Sequence, residues 1–146
     1  QQATALPDAV SMPASLLHAV VGETLVIVQS PRAIDDAEWD ALMTRLRDGD
    51  HRGVLVVASP QAPNARQRNA ARQAMSARTR PRTPVAVLAD SIVVRTVVGI
   101  LNMFLGDQVR MFPPGEVSRG LAHLEAAPTL EPEVRATIER LTQALG

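Results

Sequence analysis

The chain contains no cysteine, no lysine and no tyrosine, and among its 146 residues there are only one tryptophan and two phenylalanines. The absence of cysteine excludes a disulfide framework, a thiolate metal site and a thiol nucleophile, and leaves the redox compartment open. With so few aromatics in a chain that is 46% apolar, the core must be aliphatic, drawn mainly from Ala, Val and Leu. All fifteen basic residues are Arg. Although Arg and Lys are not physically interchangeable, the accompanying abundance of Ala makes this a signature of GC-rich coding rather than of anion recognition. No charge sign dominates either, because fifteen acidic residues balance the arginines. Bulk electrostatics therefore offers no attraction for nucleic acid or for an anionic membrane surface.

Long hydrophobic runs are missing as well. The longest apolar pattern, Ile92 to Leu105, is broken by Arg95, Thr96, Gly99 and Asn102, and it falls short of the roughly 20 apolar residues of a membrane-spanning helix. The opening "QQATALPDAVSMPA" has neither the basic start nor the long apolar core of a signal peptide. A soluble, cytoplasmic chain is the expectation. Residues 1–14, with two prolines and no periodicity, read as a loosely ordered leader.

Catalytic devices are absent too. The three histidines, at positions 18, 51 and 123, form no pair at i and i+3 or i+4. No glycine-rich phosphate loop and no G-x-S-x-G elbow follows an apolar run. No enzyme, no cofactor and no metal is expected. The acidic cluster Asp35, Asp36, Glu38 and Asp40 complements the positive end of a helix dipole better than it describes a cation site.

What is present is an alternation of short apolar runs and helical periodicities. "SLLHAVVGETLVIVQS" contains two β-rich runs around Gly22 and Glu23, a hairpin with Gly at the first central position of a type II′ turn. Asp35 is placed as an N-cap with Glu38 three positions on, the spacing of a capping box, and Ile34 can staple against Trp39. Trp39, Leu42, Met43 and Leu46 then line one helical face, and Asp48 to Asp50 end it. "GVLVVAS" (53–59) and "PVAVLAD" (84–90) have the unbroken apolar form of strands buried on both faces of a parallel sheet. Between them, Asn64 to Thr79 favours helix. "QVRMF" supplies a further strand, and Glu116 to Ala126 a further helix. A final helix has Pro132 in its first turn and a stripe of Val134, Ile138, Leu141 and Leu145. The order predicts an α/β fold: a mixed sheet of about five strands, made of an N-terminal hairpin and then βα crossovers, covered by four to five helices. The body spans 15–126, and 127–146 forms an extra amphipathic helix that docks on the body or on a partner.

Two features remain once the fold is accounted for. Between His51 and Ala89 there are seven arginines and no acid, whereas residues 1–50 hold eight acids and three arginines. Arg68, Arg72, Arg78, Arg80 and Arg82 could thus form a docking patch for an acidic partner or a phosphorylated group. Alternatively they are a solvated face balanced by acidic helices nearby. Without interleaved aromatics, the patch does not suit nucleic acid. The second feature is the helix that follows Asp90. At ~100° per residue, Ser91, Arg95, Gly99 and Asn102 form a narrow polar stripe, and Val93, Val97, Ile100 and Phe104 centre the opposite face. Ile92, Val94, Val98, Leu101, Met103 and Leu105 fill both flanks. An ordinary surface helix keeps a wider polar face. These flanks can pack under another helix, form a homodimer seam, or line a pocket for an apolar ligand.

With its opening hairpin and three crossovers, and with "PVAVLADSIVVRTVVGILNMFLG" and "VRMFPPGEVSRGLAHL" as strand–helix and strand–turn–helix units, the chain resembles the SpoIIAA-like group of the STAS domain superfamily over roughly Ser15 to Glu125. The resemblance implies a regulatory or protein-interaction module that binds a protein partner or a second copy through helix 91–105, with Ile92, Arg95, Val98, Met103 and Leu105 as the interface. Its related lipid-carrier fold implies, as an alternative, a carrier or sensor of a lipid or other apolar ligand. Anti-anti-sigma members carry a phosphorylated Ser in a D-S-[ST]-G signature. Here the third strand runs into "ASPQAPNARQ" instead, and Asp90 and Ser91 form only a partial match one crossover later, which implies Ser91 as a possible phosphosite as well as a helix N-cap.

Overall fold

A computed structural model of the chain describes residues 13–79, 82–90, 92–93, 95–96, 98–99 and 108–146. They form an α/β fold around a five-stranded mixed sheet. Strand β1 (Leu16–Val21) pairs antiparallel with β2 (Thr24–Gln29), and β3 (Gly53–Val57), β4 (Val85–Leu88) and β5 (Val109–Phe112) follow in parallel, in the order β1-β2-β3-β4-β5. The hairpin turns at Gly22, whose φ of 59° lies in the left-handed region, while Glu23 is not among the residues with positive φ. That is the φ pattern of a type II′ turn, which matches the twist of the flanking strands.

Helix α1 (Asp36–Asp48) connects β2 to β3, and helix α2 (Ala65–Ala77) connects β3 to β4. Ile92, Val93, Arg95, Thr96, Val98 and Gly99 are helical between β4 and β5. Strands added one by one in a single direction, with connections of one hand, send every crossover to the same face of the sheet. The packing agrees: Leu25, Ile27 and Val54 meet Trp39, Leu42, Met43 and Leu46 of α1 and Ala74 of α2, and Val87 and Val109 meet Val98. Alternate residues of the same strands point the other way. Val26, Val28, Leu55, Ala86, Leu88 and Phe112 form a second apolar face, covered by helix α3 (Val117–His123) and helix α4 (Glu131–Leu145), which follow the last strand. The C-terminal helix thus docks on the body, with Val134, Leu141 and Leu145 buried and Ile138 packed beside them.

Both long crossover helices are capped, but not as the sequence spacing alone suggests. Asp35 accepts the Glu38 N–H at 2.9 Å. The Glu38 carboxylate does not close the expected capping box; it accepts instead from the Ser15 N–H and hydroxyl, at 2.7 and 2.5 Å, and so ties α1 to the start of β1. Helix α2 carries the reciprocal box, between Asn64 and Gln67. Gln67 is buried and fully employed. Its amide donates to Ile34 O and Asp36 Oδ1, its Oε1 accepts from the Asn64 N–H, and its backbone carbonyl accepts from Trp39 Nε1 at 2.9 Å.

Helix α3 sits close on the sheet. A Cβ added at Gly120 would lie 3.1 Å from Leu55 Cδ1 and 3.4 Å from Ala86 Cβ, so this helix approaches the strands with backbone rather than side chain. It ends in a Schellman motif: the Ala126 N–H bonds Leu121 O and the Glu125 N–H bonds Ala122 O, with Glu125 at φ 56°. Glycine normally takes this left-handed position because an L side chain is strained there. Glu125→Gly should therefore stabilise the chain by about 0.5–1 kcal/mol, relief of strain exceeding the added entropy of the unfolded glycine. A rise in the urea midpoint at unchanged slope would register the gain.

Candidate functional site

On the crossover face the two layers do not close completely. The strands present valines, namely Val54 and Val56 of β3, Val85 and Val87 of β4 and Val109 of β5, and α2 presents Ala71, Ala74 and Met75. Short residues on both sides leave the space between helix and sheet partly unfilled. The result is an apolar cavity of about 130 Å³. Trp39, Met43 and Leu46 of α1 wall it on one side, and Val98 contributes from the helical residues after β4. Trp39 has no hydrogen-bonding capacity left for a guest, because its N–H is engaged by Gln67 O. Among the described residues, Gln29, half-buried at the end of β2, is the one amide-bearing residue that borders the cavity, and the lining surface is almost wholly apolar.

The helical residues after β4 sit differently from their expected orientation. Val93, placed by periodicity at the centre of the buried face, is 56% exposed, and Ile92 is 79% exposed. Val98, assigned above to an interface flank, is 8% exposed against Val87, Ala89 and Val109. It is therefore a core residue and cannot meet a partner. Periodicity specifies which residues share a face. The direction in which that face is turned depends on how the strand delivers the chain. Arg95 is exposed. Ser91, Met103 and Leu105 lie outside the described residues.

The arginines divide in the same way. Arg78 is buried, and so leaves the expected surface patch. Its guanidinium donates to Leu46 O, to His51 O, to His51 Nε2 at 2.8 Å and to Thr83 Oγ1 at 2.9 Å. It thereby joins the end of α1 to the segments that enter β3 and β4. Because Arg only donates, His51 Nε2 must accept, which places the ring proton on Nδ1. Arg68 donates to Pro63 O, and Arg72 donates to Asn69 Oδ1. Arg66 reaches across to α1 and pairs with Asp36 at 3.3 Å and Asp40 at 2.9 Å, so the acidic helix lies beside the basic one. Arg82 is exposed and lines a depression of about 730 Å³ at the opposite end of the parallel strands, shared with Arg52 and His123. Arg80 lies outside the described residues.

Among the described residues, no three His, Asp or Glu side chains gather as a metal ion would require, and no helix is long and apolar enough to cross a membrane. Compared with protein-family models, with curated proteins and with solved structures, the chain finds no match in any of the three.

His18 of β1, on the crossover face, is a titratable group in a perturbed environment. Burial and then the nearby Arg45 charge hold its imidazole below the usual histidine range, and Arg45 Nη1 donates to its Nδ1 at 2.8 Å. The unfolded chain then binds a proton more readily than the folded one. Stability should fall as pH drops through the ordinary histidine value of about 6.5, and level off below the folded value. In His18→Asn, thermal melting between pH 7.5 and 5.5 should show a shallower loss than in the native chain. Equal slopes would remove His18 from the account.

Proposed function

We propose that this chain is a non-enzymatic regulatory or protein-interaction module of the STAS-like type, and that it docks a protein partner through the first turn of the helical residues after β4. The single observation that carries the reading is the exposure of Ile92 and Val93 side by side. Scattered apolar side chains on a surface need no explanation. Here, however, two β-branched residues occupy the opening turn of a helix whose Val98 is already committed to the core. Covering an exposed Ile or Val is worth about 1.5–3 kcal/mol. The complementary surface is apolar at its centre and carries a carboxylate that faces Arg95. Sheet order supports the same reading: an opening hairpin and three parallel crossovers are the features on which the SpoIIAA-like resemblance rests.

The test is a double substitution, Ile92→Glu with Val93→Glu. Both side chains are exposed in the folded chain, so melting should shift by no more than about 0.5 kcal/mol in stability. Complexes of the native chain, followed by light scattering during size-exclusion chromatography of the chain alone and of the chain co-expressed with the products of neighbouring genes, should disappear in the variant. Complexes of the same mass and affinity in the variant would refute the proposed surface.

A further inference from the structure

The proposed docking surface makes no use of the cavity between α1, α2 and the sheet, whose walls are independent of Ile92. We infer that this cavity is a binding site for a compact, uncharged apolar molecule of about the size of benzene, without hydrogen-bonding groups. Size and chemistry both point that way. The volume, about 130 Å³, is close to that of a dry apolar cavity of about 150 Å³ that accepts benzene or xenon. It lies well below the roughly 300–1,000 Å³ of sites for larger ligands, so it fits a ring or a short branched chain rather than the acyl chain of a lipid.

The lining selects against polarity. Trp39, Met43, Leu46, Ala71, Met75 and Val98 bring no free donor or acceptor. A charge placed there would be desolvated without a counter-charge, and an unmatched hydroxyl or amide would lose its hydrogen bonds to water. Gln29 shares the crossover face with Leu25 and Ile27 and borders the cavity, yet the lining surface is almost wholly apolar, so Gln29 does not relax this selection. The adaptable thioethers of Met43 and Met75 let the walls close on rings of slightly different shape.

Trp39 is the only tryptophan of the chain, so its emission reports on this site alone. Bromobenzene, through its heavy atom, should quench Trp39 saturably and raise the melting temperature in proportion to its occupancy. Benzene, which lacks the heavy atom, should restore the emission by competition, so the native chain is tested without any substitution. Ala71→Leu places a larger side chain in the cavity without loss of helix propensity, and should abolish both the saturable quenching and the melting shift. Phenol, whose hydroxyl finds no partner in this lining, should compete several-fold more weakly than benzene. Linear, non-saturating quenching of the folded native chain that benzene does not reverse would overturn the site, as would saturable quenching that survives Ala71→Leu. Phenol competing as well as benzene would overturn the selection against polar guests.

Discussion

The constraint on which the rest of the structure depends is the coverage of the second face of the sheet. From β2 to β5 each new strand is laid on the same side of the last, so the connecting helices all fall on one face. The other face is equally apolar, because every buried parallel strand points alternate residues both ways. Val26, Val28, Leu55, Ala86 and Leu88 would stand in water if the chain stopped at β5. At about 1.5–3 kcal/mol for each fully buried aliphatic side chain larger than Ala, their exposure would cost on the order of the whole net stability of a domain, about 5–15 kcal/mol. Helices α3 and α4 are therefore part of the fold's closure. Arg32, which donates to Ala14 O and Leu145 O, fastens the end of α4 to the start of β1.

The two faces are closed by different means, and the difference prepares the functional proposals. On the α3–α4 side, Gly120 lets the helix backbone approach Leu55 and Ala86, and large residues such as Leu88 and Phe112 fill the layer. On the crossover side, valines oppose alanines, and α2 is held largely by its polar N-terminus, through Gln67 and the Arg66 ion pairs with α1. A helix anchored at its cap and at its neighbour, rather than by large side chains on the sheet, leaves space beneath it. The same face carries the turn in which Ile92 and Val93 emerge. The loosely filled layer and the exposed apolar turn thus lie on the side built by crossovers, while the tightly packed side has a structural task.

Much of this architecture was legible in the amino-acid order. Unbroken apolar runs at 53–59 and 84–90 mark strands buried on both sides, Gly22 marks the hairpin, and the stripes of α1 and α4 mark their buried faces, because periodicity is a local property. Residues whose role depends on distant partners were not legible. Arg78 lies in an arginine-rich stretch and reads as surface, and only its contacts with Leu46, His51 and Thr83 make it a buried staple. Glu38 has the spacing of a capping box, but Ser15, 23 residues earlier, offers two donors and takes it. Val93 and Val98 exchange their expected surroundings because the rotation of a helix about its axis is set by tertiary contacts. The cavity itself is a matter of layer spacing, to which local pattern is blind, although the pairing of valine strands with an alanine-rich helix is a signal that could have raised it.

The most direct test of the central claim is urea unfolding, followed by circular dichroism, of the chain ended after Ala127, which lacks α4. If the second face must be covered, the shortened chain loses its cooperative transition and exposes apolar surface that binds a hydrophobic dye. A cooperative transition with a midpoint like that of the full chain would show that the sheet closes without α4, and would contradict the account.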